Sequence, residues 1–391
     1  MEPDPPFEVE PELDGDEELE HPVTPLELFF DLVFVFALTQ VTGFMSDDPT
    51  WAGVGKGMLI LTALWWTWGA YAWLTNEIDP DEGSARLAVF AAMGAMFVAA
   101  LAVPNAFSSD AVLFGLAFFM VRVLHIVLFA EATPHVDVRQ AAYRLARTAI
   151  PGPALIVVAG FLDGRAQIAC WLLALAIDYS GPYIFGVRGF SVSAEHFAER
   201  YGLIVIIALG ESIVAIGIGA AGIELDPTVV IAAILGLGVA CALWWAYFDI
   251  VALVARKTLV EAHGHERSRL ARDLYSYLHL PMFAGIVLVA LGAKKVLAHV
   301  DEPLDTVPAF ALCGGVALYL LSHDAMRLRS VGNVNLRRCL AAATSAALIP
   351  VAVRVDGVVA IALVAAVCTA LIAYETLRFR TARAQQMRTA V

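Results

Sequence analysis

Apolar runs of close to twenty residues alternate along the chain with short polar segments rich in Gly, Pro, Asp and Arg. A helix crossing the hydrocarbon core of a bilayer needs about 20 predominantly apolar residues. The pattern predicts about twelve spans: 25–45, 52–75, 86–104, 109–130, 143–162, 165–187, 196–220, 227–254, 270–297, 308–328, 336–354 and 357–379. Pro151 and Pro153 interrupt the fifth, Gly181 and Pro182 the sixth, and Pro281 the ninth. A bundle tolerates such breaks because neighbouring helices re-satisfy the freed backbone groups. The expected fold class is therefore all-α, a polytopic transmembrane helical bundle.

Basic residues divide unevenly between the two sets of loops. Nineteen lie on the side of the N-terminus, Arg200, Arg272 and Arg338 among them, and five (Lys56, Arg165, Lys294, Lys295 and Arg354) on the other. Lys and Arg accumulate in cytoplasmic loops, so both termini are expected in the cytoplasm.

The two halves of the pattern also align. Ala63-Leu64-Trp65-Trp66 recurs as Ala242-Leu243-Trp244-Trp245, and Ala154-Leu155-Ile156 as Ala347-Leu348-Ile349. Arg86 with Met96-Phe97 matches Arg272 with Met282-Phe283, Ala37–Gln40 resembles Ala208–Glu211, and His125 matches His323. The offsets rise from 171 to 198, as loop-length differences would make them. Six spans per half is an even number, so the halves share one orientation and form a parallel repeat. The expected organisation is an acidic cytoplasmic tail (1–22), two six-helix repeats (23–190 and 195–380) and a short cytoplasmic tail (381–391).

Composition agrees with the membrane reading. Of 391 residues 60% are hydrophobic and only 16% charged, with a mean hydropathy of +0.73. Soluble domains carry about 25% charged residues, so an ordinary soluble enzyme, a disulfide scaffold and a disordered chain are excluded. The net charge of −13 is mostly local: residues 1–20 hold ten acids and no base. Such a stretch cannot bury a core, and with no basic flank it is not a signal peptide. No basic surface suited to nucleic acid is present. The five cysteines fall in apolar runs, without metal or disulfide spacing.

Ionisable residues inside spans are costly and mark candidate sites. In the first span Glu27 and Asp31 share a helical face, with Gln40 and Thr42 further along. In the seventh, His196, Arg200 and Glu211 fall on one stripe. Glu211 would sit about 22 Å along that helix, deep in the hydrocarbon. It is either a proton or cation site or a buried hydrogen-bonded carboxyl between helices. Arg122 and His125 in the fourth span, Asp178 in the sixth, His279 in the ninth and His323 in the tenth complete the candidate intramembrane polar set. Arg122 needs a carboxylate partner, with Asp31 and Asp178 the candidates. Asp249 and Glu375, near cytoplasmic ends, are expected to be solvated. Trp65, Trp66, Trp68, Tyr71 and Trp73 read as belt or packing residues rather than a cation cage. Gly217-x-Gly219-x-x-Gly222 follows no strand, so it is no dinucleotide loop. Gly53-x-x-x-Gly57 suits close helix packing. His263 and His265, with Glu261 and Glu266, form a polar loop. No nucleophile elbow, metal motif or phosphate loop occurs, so neither enzyme activity nor a cofactor is expected.

The run Glu27-Leu-Phe-Phe-Asp31-Leu-Val-Phe-Val-Phe-Ala-Leu-Thr39 resembles the hallmark of the bacterial low temperature requirement A family, and Glu199-Arg200 through Gly210-Glu211-Ser212 resembles its second signature. The likeness extends from about His21 to Arg380. It implies a polytopic inner-membrane protein named for a cold-growth phenotype, with no settled reaction or ligand. A fainter likeness, through Phe29-Phe30-Asp31, is to a potassium-channel family with two six-span repeats. The expected function is a small-solute or ion transporter or channel, with proton coupling as one form. The alternative is a non-transporting receptor or assembly protein that binds cytoplasmic partners or lipid headgroups. Expected partners are membrane lipids, a small ion or solute and a second copy of the chain, without nucleic acid.

Overall fold

In a computed structural model, residues 22–81, 83–131 and 136–389 are described, side chains as far as residue 378 apart from that of Ser84. The acidic tail lies outside these residues. The described chain is helical: α1 (Pro25–Asp47), α2 (Trp51–Thr75), α3 (Gly83–Ala102), α4 (Ala111–Glu131), α5 (Val136–Ala149), α6 (Pro151–Ala159), α7 (Gly164–Ile184), α8 (Ala194–Gly219), α9 (Pro227–Ala246), α10 (Ala252–Glu261), α11 (Gly264–Leu270), α12 (His279–Ala298), α13 (Thr306–Val331), α14 (Leu336–Ala347), α15 (Ile349–Ala352) and α16 (Gly357–Thr389). Among the described residues the sole β feature is an isolated bridge between Pro303 and Asp356.

Among the described residues, eight helical stretches are long and apolar enough to cross a membrane: Pro25–Asp47, Ala85–Asn105, Ala111–Glu131, Ala194–Gly219, Pro227–Glu261, Gly264–Ala298, Thr306–Val331 and Gly357–Arg378. Helices also occupy the other four predicted segments, but these depart from the simple apolar rod. α2 is diluted by Trp, Thr and Gly. The fifth and eleventh segments break ahead of a proline, at Ile150–Pro151 and at Leu348–Ile349–Pro350, giving α5–α6 and α14–α15. A proline fits the first turn of a new helix, where its missing N–H is not needed. α7 contains Pro182 and continues past it to Ile184.

Large apolar residues cover the outside of the bundle, among them Leu32, Leu87, Phe90, Leu116 and Ile234, while buried polar and charged residues gather inside. This inverts the distribution of a soluble protein and is what hydrocarbon as solvent demands.

Two π-helical stretches, Tyr247–Val251 and Ala271–Tyr277, join α9 to α10 and α11 to α12. The second ends on a backbone bond from Leu278 N to Asp273 O of 3.1 Å. Such a bulge re-aims the following side chains, and here it places Ser276 and His279 in the aromatic centre of the bundle. Pro281 causes no break of its own, because it falls in the first turn of α12.

Backbones approach most closely between α12 and α13. A Cβ on Gly285 would lie 2.8 Å from Gly315 O, and one on Gly315 would lie 2.8 Å from Gly285 O. Small residues at such crossings let helices pack in lipid, where apolar burial gives little association energy. The expected glycine contact on α2 has a concrete form: a Cβ on Gly57 would collide with the Met45 side chain of α1.

Candidate functional site

The first turn of α1 is held by a reciprocal cap. Glu27 N donates to Thr24 Oγ1 (3.2 Å), and Thr24 N donates to Glu27 Oε2 (2.9 Å). This fixes the Glu27 carboxylate near the positive end of the helix dipole. One turn further, Asp31 points to the same side. Opposite them runs α8, in the same direction: His196 faces Glu27, Arg200 faces both carboxylates, and Glu211 faces Thr39.

At the centre of this seam Arg200 spans the two acids. Its Nη1 lies 2.8 Å from Glu27 Oε1 and its Nη2 3.0 Å from Asp31 Oδ1. Trp68 Nε1 donates to the same Asp31 oxygen (2.8 Å), and the guanidinium sits over the Trp68 ring at 5.9 Å. His196 Nε2 lies 3.2 Å from Glu27 Oε2. Asp31 is 0% exposed and Arg200 1%. Asp31 Oδ2 and Arg200 Nε meet no hydrogen-bond partner among the described residues. A crevice of about 510 Å³ between α8 and α10 reaches His196 from the surface.

Deeper along the seam Glu211 is 1% exposed, and Thr39 Oγ1 donates to its Oε2. Gln40, the counterpart of Glu211 in the sequence alignment, is half-buried and stands outside this contact. Thr39, one residue earlier, takes its place because it faces α8.

The other predicted residues separate into three further groups. Arg122 of α4 pairs with Asp178 of α7 (Nη2–Oδ1 2.7 Å), which decides between its two candidate partners. Asp31 is taken by Arg200. His125, one turn from Arg122, is buried edge-on against Phe129 at 5.0 Å, beside a small cavity of about 60 Å³ that Arg122 also lines. His279 lies in the aromatic centre, its Nδ1 2.8 Å from Leu274 O and its Nε2 2.9 Å from the Tyr247 hydroxyl. A carbonyl can only accept, so Nδ1 carries the proton and Nε2 accepts from Tyr247. Both nitrogens are thus engaged with the ring neutral. His323 of α13 accepts on Nδ1 from Arg338 Nη1 (2.9 Å).

Arg338 and Glu375 correct the sequence reading. Glu375 is buried rather than solvated, and Arg338 is no loop charge. They form a two-pronged pair between α14 and α16, Nε–Oε1 and Nη2–Oε2 both 3.0 Å. Arg200 and Arg272 are likewise buried, the latter over the Tyr183 ring at 4.3 Å. Glu375 misled because hydropathy measures distance from the apolar run and cannot see a facing arginine.

His196, Trp68 and Ser276 carry more than their sequence context indicated. The tryptophans are packing residues, not a belt: Trp65 Nε1 donates to Ser276 O (2.8 Å) and Trp73 Nε1 to Ser276 Oγ (2.9 Å). The Trp-Trp pair aligned with Trp65-Trp66 differs in setting, Trp244 being 44% exposed on the outer face. The expected polar loop is mostly helical: Glu261 ends α10, 3.7 Å from Lys257, and Glu266 lies on α11, 3.4 Å from Arg269.

Long apolar helices that present hydrocarbon-compatible surfaces outward and enclose ion pairs between them define a multi-pass helical membrane protein. The family described as bacterial low temperature requirement A protein matches residues 22–373. The chain belongs to this family, and is a bacterial membrane protein. It is similar to an uncharacterized protein of Rhizobium meliloti (strain 1021), 31% identical over 306 residues, covering 75% of this chain and 74% of the relative.

Proposed function

We propose that the protein moves a small ion or solute, in a form coupled to protons, along the seam between α1 and α8. One observation carries the reading: three enclosed carboxyl groups, Glu27, Asp31 and Glu211, line this seam, and among the described residues one arginine, Arg200, pairs with two of them, while Lys294 acts on Glu211 only electrostatically. In a low-dielectric setting, excess negative charge favours uptake of a proton or cation. His196 adds a titratable group between the surface crevice and Glu27. Glu211 would be the inner binding group, with Thr39 orienting it.

The proposed architecture is twelve spans in two parallel repeats, with both termini in the cytoplasm of the inner membrane. Corresponding helices pack alike in each half: α1 on α2 and α3, as α8 on α9 and α12; α3 on α4, as α12 on α13; and α2 on α7, as α9 on α16. The buried acids Asp178 and Glu375 lie on the sixth segment of each half, and His125 and His323 on the fourth. α1 and α8 would then be the equivalent helices that meet at the axis, where such repeats hold their sites.

Reconstitution into proteoliposomes with a pH-sensitive dye and a panel of monovalent and divalent ions tests the function. The expected result is a flux in the wild type that Glu211→Gln abolishes while the protein stays folded. Absence of flux across the panel, or full flux in the variant, overturns it. A second reading, a non-transporting receptor or assembly protein that binds lipid headgroups, draws on the basic pocket described next.

A further inference from the structure

The junction of α13 and α14 holds a second polar centre, away from the α1–α8 seam. α13 ends at Val331, Gly332 turns the chain with φ +75°, and Asn335 caps α14 by accepting from Arg337 N (3.2 Å). Between this junction and the π-helical turn leading into α10 lies a cavity of about 630 Å³.

The polar groups on its wall are mostly donors. Arg338 is occupied by Glu375, by Ala246 O (3.1 Å) and by His323. Because Arg338 Nη1 can only donate, His323 Nδ1 must accept, and in the neutral ring the proton stays on Nε2. His323 is 1% exposed, and its Nε2 meets no hydrogen-bond partner among the described residues. Arg327, on the cavity wall, donates from Nε to Asn333 Oδ1 (2.7 Å). Arg337 stacks on the Tyr374 ring at 4.9 Å, which holds the guanidinium without neutralising it. The one carboxylate lining the cavity, Asp324, accepts from Asn335 N (2.7 Å) and from the Cys339 thiol (3.1 Å). With Arg338 neutralised by Glu375, two arginines face one occupied acid.

The rim is apolar. Leu336 is 68% exposed, Leu340 and Val334 are exposed beside it, and Ile250, Val251 and Val254 form the opposite wall. Cationic donors beside bare aliphatic surface match a phosphate that carries acyl chains.

We propose that this pocket binds the phosphate of an anionic phospholipid, with Arg327 and Arg337 supplying the charge and the aliphatic rim receiving the acyl chains. A free phosphate anion shares the chemistry but would leave the aliphatic rim unused. The proposal stands whether or not solute moves along the α1–α8 seam, since its test reads binding.

The purified full-length protein in detergent is titrated with phosphatidylglycerol, with phosphatidylcholine and with inorganic phosphate. Bound lipid is counted by native mass spectrometry, and the melting midpoint is followed by tryptophan fluorescence. Each arginine near an anionic lipid is worth about fivefold in affinity. The expected result is retention of phosphatidylglycerol over phosphatidylcholine with a raised midpoint, and in R327Q/R337Q a loss of that preference by about twenty-five-fold. Both side chains are half-exposed, so the double variant is expected to keep the melting midpoint of the lipid-free wild type. Competition by inorganic phosphate at equal strength assigns the pocket to a soluble phosphate instead of a lipid. Equal retention of the two lipids with no effect of phosphate, or an unchanged preference in R327Q/R337Q, overturns the proposal.

Discussion

Arg200 and Asp31, both buried, meet at 3.0 Å, and Trp68 of α2 donates to the same Asp31 oxygen. Removing one member of such a pair leaves an uncompensated buried charge, which costs about 3–5 kcal/mol. Arg200→Gln should lower the melting midpoint markedly, because Glu27 and Asp31 both lose their counter-charge. Asp31→Asn combined with Arg200→Gln should recover part of that loss. A double-mutant cycle by thermal melting in detergent checks this; additive losses would show that the pair is not coupled.

Glu211 separates stability from transport. Glu211→Gln keeps the volume and can still accept from Thr39, so its cost should stay near 1 kcal/mol, the scale of one net hydrogen bond. The melting midpoint should therefore move little while proteoliposome flux disappears.

Ser276 ties two helices to the π-helical stretch through its side chain, accepting from Trp73 and lying 3.4 Å from the Tyr201 hydroxyl. Ser276→Ala leaves Trp73 Nε1 without its acceptor and the buried Tyr201 hydroxyl without its Ser276 partner, at about 1–3 kcal/mol for each group left unsatisfied. Trp65 keeps its bond to the backbone carbonyl, so the variant should destabilise without changing the helical circular dichroism.

The α12–α13 crossing should be intolerant of bulk. A Cβ on Gly292 would fall 2.6 Å from the Leu312 backbone, and Gly315 faces backbone on two sides. Gly315→Leu should abolish folded expression, whereas Gly314→Ala, next to the flexible Phe310 ring, should be mild. Size-exclusion profiles of the two variants give the comparison.

Arg338→Lys should be nearly as damaging as Arg338→Gln. A lysine ammonium cannot reproduce the paired bonds to Glu375 while also reaching His323 and Ala246 O. Melting midpoints of the two variants within a few degrees of each other would bear this out.

Much of the fold is legible in the chain because hydropathy is local: each run of apolar residues specifies a helix without reference to its neighbours. The helix at each predicted span, the break at Pro151 and the shared face of Glu27 and Asp31 follow from spacing alone, whereas the break ahead of Pro350 lies outside the expected ones and none occurs at Pro182 or Pro281. Pairing does not. The spans are apolar on nearly every side, so periodicity does not mark which face turns inward, and a buried arginine looks like a loop residue when it lies near the end of a run. That Arg200 pairs with the acids of α1, that Arg122 selects Asp178, that Glu375 is enclosed, and that Thr39 rather than Gln40 meets Glu211 were all decided by which helices lie side by side. An ion pair inside a bundle is a property of two surfaces, and a single strand of sequence describes only one of them at a time.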